Sequence, residues 1–169
     1  MPELNPTHLF EQASSLSRLR PTGAPRQVDL RRAISSAYYG IFHFTVGELA
    51  SLMVGSGVGA RARHALVYRG IDHRGLRDLC DDTAKTALPR KYRQLVPAGF
   101  GFELQVFATS VIDLQGKRHR ADYDPLARFR TRDATVAIAT AKNAIRLFEQ
   151  ADEEQRKIFL TLLLCPIRA

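Results

Sequence analysis

Between the turn-forming Pro21-Thr22-Gly23-Ala24-Pro25 and the glycine-rich Gly55-Ser56-Gly57-Val58-Gly59 lies a stretch free of proline. Its apolar residues Ile34, Ala37, Tyr38, Ile41 and Phe42, continued by Leu49 and Leu52, recur at helical spacing. The spacing predicts one long helix from about Gln27 to Met53, greasy over a stripe wide enough to be packed on several sides. A second stripe of the same helix holds Arg32, Ser36, Gly40 and His43. A cation, a hydroxyl and an imidazole thus stand in line, and each would need a partner if buried. Two readings stay open: the solvated edge of a core helix, or a polar line that meets a ligand.

The other segments fall around this helix. Asn5-Pro6-Thr7 reads as a helix start with Thr7 as N-cap, and Leu9, Phe10, Ala13 and Leu16 as its apolar side. The glycines at 55–59 do not form a phosphate loop, because Ala60-Arg61 stands where such a loop needs Lys-Ser or Lys-Thr. Arg61 to about Thr83 is expected as a third helix with Ala65, Leu66, Tyr68, Ile71, Leu76, Leu79 and Cys80 inward. Arg69, His73 and Arg77 would then share a face, relieved either by neighbouring Asp72, Asp78 or Asp81 or by a bound phosphate. Leu88 to Gly99 is a basic loop with Arg90, Lys91 and Arg93 around Tyr92, suited to RNA or simply solvated. A fourth helix is expected from about Phe100 to Tyr123, stopped by Pro125. A fifth opens at Thr131 as cap, and a sixth at Asp152-Glu153-Glu154. No stretch alternates with period two.

A chain of 169 residues with 45% hydrophobic residues is long enough to bury one core, and a single domain over 1–169 is the expectation. The net charge of +8 favours an anionic partner such as nucleic acid or an acidic protein. Cys80 and Cys165 are far apart, so neither a zinc site nor a disulfide framework is indicated, and no cofactor is expected. His64, His73 and His119 lack ligand spacing, and no serine stands in a nucleophile elbow. Neither a signal peptide nor a membrane-length apolar run is seen, which makes the cytoplasm the default location.

Arg32-Ala33, Ser35, Ala37-Tyr38-Tyr39 and Phe42-His43 form a pattern that resembles the "R-A-x-S-x-A-Y-Y-x-x-F-H" helix of small bacterial HEPN domain proteins. Further along, Arg118, Ala121, Asp122, Tyr123 and Asp124 match the R-x-x-A-D-Y-D of the same kind of protein. The likeness extends from Leu30 to roughly Phe148. It implies an all-α antiparallel up-and-down bundle, here of five to six helices, that is often a homodimer. It also implies ribonuclease or toxin–antitoxin roles, or pairing with an antitoxin or a nucleotidyltransferase-like protein. Catalytic HEPN ribonucleases have R-x4-6-H where this chain has Arg118, and Tyr123 stands where the shortest spacing would put the histidine. A tyrosine with pKa near 10 is a poor base at neutral pH, so this departure weakens the nuclease expectation.

The chemistry that suits these residue types is RNA cleavage without a metal. Arg118 would stabilise phosphate charge, and His119 or Tyr123 would move protons. The expected nucleic-acid surface adds Arg120 to Arg32, Ser36, His43, His73 and Arg77. Two other readings stand beside it: non-catalytic binding of nucleic acid or a nucleotide, and a structural one with Arg118–Asp122 and Asp113–Lys117 as ion pairs one helical turn apart and Tyr123 capping the core. The expected core is Ile34, Ala37, Tyr38, Ile41, Phe42, Leu66, Phe107, Val111, Ile138, Ile145 and Phe148.

Overall fold

Helix α2 (Gln27–Val54) is the axis of the molecule, 28 residues long and therefore about 42 Å at 1.5 Å per residue. A computed structural model describes residues 5–18, 23–55 and 57–167. Over them the chain is an all-α helical bundle without a β-strand. Around α2 stand α1 (Pro6–Leu16), α3 (Arg61–Arg69), α4 (His73–Thr83), α5 (Phe102–Tyr123), α6 (Thr131–Gln150) and α7 (Glu153–Leu164). Part of the turn at 21–25 lies outside the described residues.

Helix directions follow from the residues that meet. Gln12 and Phe10 of α1 lie against Ser36 and Gly40 of α2, so these helices are antiparallel. The approach at Gly40 is close: a Cβ there would lie 2.5 Å from the Phe10 ring. Ser35 meets Asp122 and Tyr39 meets Arg118, so α5 also runs antiparallel to α2. Helix α6 returns beside α5, with Phe107 and Phe148 ring centroids 4.8 Å apart, and Phe159 of α7 closes that aromatic cluster. Of the expected core, Ile34, Ala37, Tyr38, Ile41, Phe42, Phe107, Val111, Ile138 and Phe148 are buried, and Ile145 packs partly buried against them.

Three expectations need correction. The single helix expected over Arg61–Thr83 is two, which makes seven α-helices among the described residues rather than five or six. Gly70 ends α3, its N–H returning to the Leu66 and Val67 carbonyls. Asp72 then starts α4 by accepting the Gly75 N–H at 2.7 Å, the preferred role of aspartate at an N-cap. Leu66 consequently turns outward and is 69% exposed rather than core, and α3 has no buried residue. At α1 the cap is Asn5, not Thr7, because Pro6 occupies the first turn where its missing N–H costs nothing. At α6 the boundary is Arg130, whose N–H is held by Asp133 at 2.7 Å.

Arg31 fastens α2 to the end of α5. Its guanidinium donates to the carbonyls of Ala121, Asp124 and Ala127 at 2.8, 2.8 and 2.6 Å. Helix C-termini leave carbonyls unpaired and partly negative, so a cation there satisfies both needs. Gln27 reinforces the junction with two hydrogen bonds to the Phe129 backbone. None of the helices over the described residues is long and apolar enough to cross a membrane.

Candidate nucleic-acid interface

The antiparallel contact of α2 with α5 brings Ser35, Tyr39, Arg118, Asp122 and Tyr123 together. Arg118 Nη2 donates to the Tyr39 hydroxyl at 2.7 Å. Asp122 Oδ2 lies 2.7 Å from Arg118 Nε but off the line of its N–H, so charge attraction rather than an aligned hydrogen bond links them. The other Asp122 oxygen accepts from the Ser35 hydroxyl. The guanidinium carbon stands 5.3 Å from the Tyr39 ring centroid and 5.4 Å from that of Tyr123. Burial opposes the charge on Arg118, yet the Tyr39 hydrogen bond and the Asp122 carboxylate outweigh it and hold the pKa above its ordinary value. Arg118 is therefore a cation held in place by Tyr39 and Asp122.

Tyr123 also contacts His119, their ring centroids 4.9 Å apart. The three residues expected to do chemistry are thus adjacent, with the tyrosine between arginine and histidine. Tyr123 is 63% exposed and does not cap the core. His119 and Arg120 are exposed. The two ion pairs of the structural reading are both present, since Lys117 meets Asp113 at 2.6 Å as Arg118 meets Asp122.

The remaining expected ligand contacts divide. Arg32 is exposed near this end of α2. Ser36 is buried beneath α1, its hydroxyl 3.4 Å from Gln12, and offers nothing to an outside ligand. His73 turns inward: its Nδ1 is 2.9 Å from the Tyr38 hydroxyl, and its ring lies 4.1 Å from that of Phe42. Burial first, and the Arg118 charge second, lower its pKa against the pull of Asp72. His43 is lowered by burial and then by His73, and its Nδ1 is hydrogen-bonded to Tyr68. Both rings thus favour the neutral state and make poor phosphate cations. Arg77 is exposed and paired with Asp81 at 3.6 Å, the neutralisation the sequence allowed. In the loop at 88–99, Tyr92 is buried with its hydroxyl on Asp82 at 3.0 Å, and so cannot stack on a base. Asp82 also holds Lys85 at 2.7 Å and Lys91 at 3.0 Å, a clamp that makes this loop structural.

What sequence reasoning missed is the turn after α5. Residues 117–133 hold six cations against three carboxylates. Those carboxylates are occupied: Asp122 by Arg118 and Ser35, Asp124 by the Leu126 and Ala127 N–H groups, and Asp133 by the Arg130 N–H. Arg120, Arg128 and Arg132 are exposed and take part in no ion pair among the described residues. The signal was the alternation Arg128-Phe129-Arg130-Thr131-Arg132, in which Phe129 is buried and the arginines project. No protein-family model, curated protein or solved structure matches this chain.

Proposed function

We propose that the chain binds RNA across the α5–α6 turn and the adjoining start of α2, and that Arg118, His119 and Tyr123 form a centre for metal-independent cleavage of the bound strand. One observation carries this reading: an exposed run of arginines with no ion pair among the described residues adjoins a held guanidinium, a histidine and a tyrosine in mutual contact. Exposed arginines track phosphates, and a half-buried one held beforehand is suited to the charge that develops during transfer. His119 moves the proton in this scheme, because an imidazole titrates near neutrality where a phenol does not. The resemblance to HEPN proteins points to the same end of the same helix, and to a homodimer or an antitoxin-paired complex as the working form.

A second reading is a non-catalytic module that binds a nucleotidyltransferase-like or other protein partner. Val28, Tyr123 and Leu126 favour it, being 62%, 63% and 85% exposed around the same junction. Incubating the purified protein with mixed RNA in chelator separates the two. Cleavage is expected in the wild type and a loss of at least a hundredfold in His119→Ala, an exposed position whose change leaves the packing alone. Arg118→Lys should also lose activity, because lysine keeps the charge but not the planar fork. Intact RNA at high protein excess would remove the nuclease reading.

A further inference from the structure

On the face of α2 toward α3 lies a groove of about 430 Å³, in which His43, Phe44, Glu48, His64 and Tyr68 surround Gly47 and Ser51. Its size is that of a small-ligand site. At 100° per residue, His43 and Glu48 stand about 140° apart on α2, with Gly47, Ser51 and Phe44 in the arc between them. The helix therefore supplies a floor of Gly47 and Ser51 beside the Phe44 ring, an imidazole on one flank and the Glu48 carboxyl on the other, where burial and Glu149 raise its pKa against the pull of Arg156. At Gly47 an added Cβ would meet nothing within 4 Å, so the floor is open.

The imidazole flank is wider than one ring. His43 and Tyr68 have planes only 6° apart with centroids at 5.7 Å, while the Tyr68 hydroxyl is hydrogen-bonded to His43 Nδ1 at 2.5 Å. Rings lying face to face would be separated by about 3.5 Å or more, which that hydrogen bond cannot span. The two rings are thus joined edge to edge into one flat wall. His64 continues it, 6.2 Å from Tyr68 and tilted by 26°. A flat aromatic wall of this kind takes a planar ring system by stacking. A carboxylate accepts hydrogen bonds and donates none, so it selects a ring with donors on its edge. Among the RNA bases guanine alone presents two adjacent donors, N1–H and N2–H2, which a carboxylate accepts as a pair.

We propose that this groove binds a guanine base, stacked on the joined His43 and Tyr68 rings with its N1–H and N2–H2 donated to Glu48. The proposal deepens the RNA reading by naming the base, and it rests on that reading only for whether the base arrives in a strand or as a free nucleotide. Tyr39 connects the two regions: its ring lies 6.1 Å from His43 on one side and holds Arg118 on the other.

Calorimetry with guanosine monophosphate, adenosine monophosphate and two short single-stranded RNAs, one with guanine and one without, tests it. Guanosine monophosphate should bind at least tenfold more tightly than adenosine monophosphate. Glu48→Gln should lower that affinity at least tenfold and erase the preference, since an amide presents a donor where the base also donates. Gly47→Leu should abolish binding by filling the floor, while leucine strengthens the helix and keeps the thermal midpoint at or above the wild-type value. Equal binding of the two nucleotides, no binding at millimolar concentration, or indifference to both substitutions would overturn the proposal. RNA affinity that ignores guanine and survives Gly47→Leu would also overturn it while leaving the RNA reading in place. Guanine-nucleotide binding without RNA affinity would uphold the groove and remove the RNA reading.

Discussion

His73 shows how a residue that reads as a surface cation becomes something else once packed. Between Arg69 and Arg77 in the sequence it belongs to a basic row, yet Gly70 and Asp72 break the helix and turn its ring onto Phe42 and the Tyr38 hydroxyl. Burial and the Arg118 charge lower its pKa, and burial and His73 lower that of His43. Both imidazoles therefore hold fewer protons in the folded protein than in the unfolded chain. Where the unfolded state binds more protons, stability rises with pH. The contribution is fully present above about pH 6.5, the ordinary histidine value, and is lost as the pH falls toward the lowered folded values. The thermal midpoint should accordingly drop between pH 7 and pH 5. In a His43→Gln, His73→Gln double variant the drop should be smaller, even though the variant starts lower for want of the Tyr38 and Tyr68 hydrogen bonds. Equal drops in the two proteins would show that other groups govern the acid response.

Among the elements, α2 was legible and α3 was not, for the same physical reason. The apolar positions of α2 lie inside a run with no glycine–aspartate pair near its middle, so the pattern holds over all 28 residues in spite of Gly40 and Gly47. Over Arg61–Thr83 the apolar positions continue at helical spacing straight through Gly70, and the pattern hides the break. The sign of it was local: a glycine at the end of one helix and an aspartate three residues before Gly75 at the start of the next. At the candidate site, Arg118 points about 100° from His119, but the His119–Tyr123 contact could be read from one helix, because residues four apart share a face. The Tyr39 and Ser35 contacts could not, because they depend on how α2 crosses α5. The break has a consequence for motion. Helix α3 is nine residues with none buried, held to α2 through half-buried rings such as Tyr68 on His43. Elements with few buried apolar contacts open locally at low free energy. Backbone amides of Arg61–Arg69 should exchange with deuterium faster than those of α4, whose Leu76, Leu79 and Cys80 are buried. Tyr68→Ala should speed α3 further without altering α5. Equal protection of α3 and α4 would mean that the rings anchor α3 as firmly as a buried face.

For the whole molecule the informative quantity is where the net charge of +8 resides. Several of its arginines already have partners: Arg31 the carbonyls at the end of α5, Arg118 Tyr39 and Asp122, and, at the surface, Arg77 Asp81 and Arg74 Asp78. The exposed arginines at 120, 128, 130 and 132 are concentrated where the end of α5 meets the start of α6, and Arg31 ties this junction to α2 beside exposed Arg32. A strand bound there displaces counterions from its phosphates, so affinity should fall steeply as salt is added. For single strands the slope of log K against log salt is about −0.7 for each phosphate neutralised. A triple Arg120→Gln, Arg128→Gln, Arg132→Gln variant should therefore bind with a slope shallower by about 2, and more weakly at every salt concentration below the crossing. Its thermal stability should match that of the wild type, because these side chains are exposed and make no ion pair among the described residues. Removing the same number of cations from elsewhere, as in Arg61→Gln, Arg63→Gln and Lys142→Gln, changes net charge equally and should leave the slope nearly unaltered. If the two triple variants lose affinity alike, attraction is spread over the molecule and the α5–α6 turn is not the interface. If neither does, the basic end faces a protein, and the exposed Val28, Tyr123 and Leu126 become the contacts to substitute next.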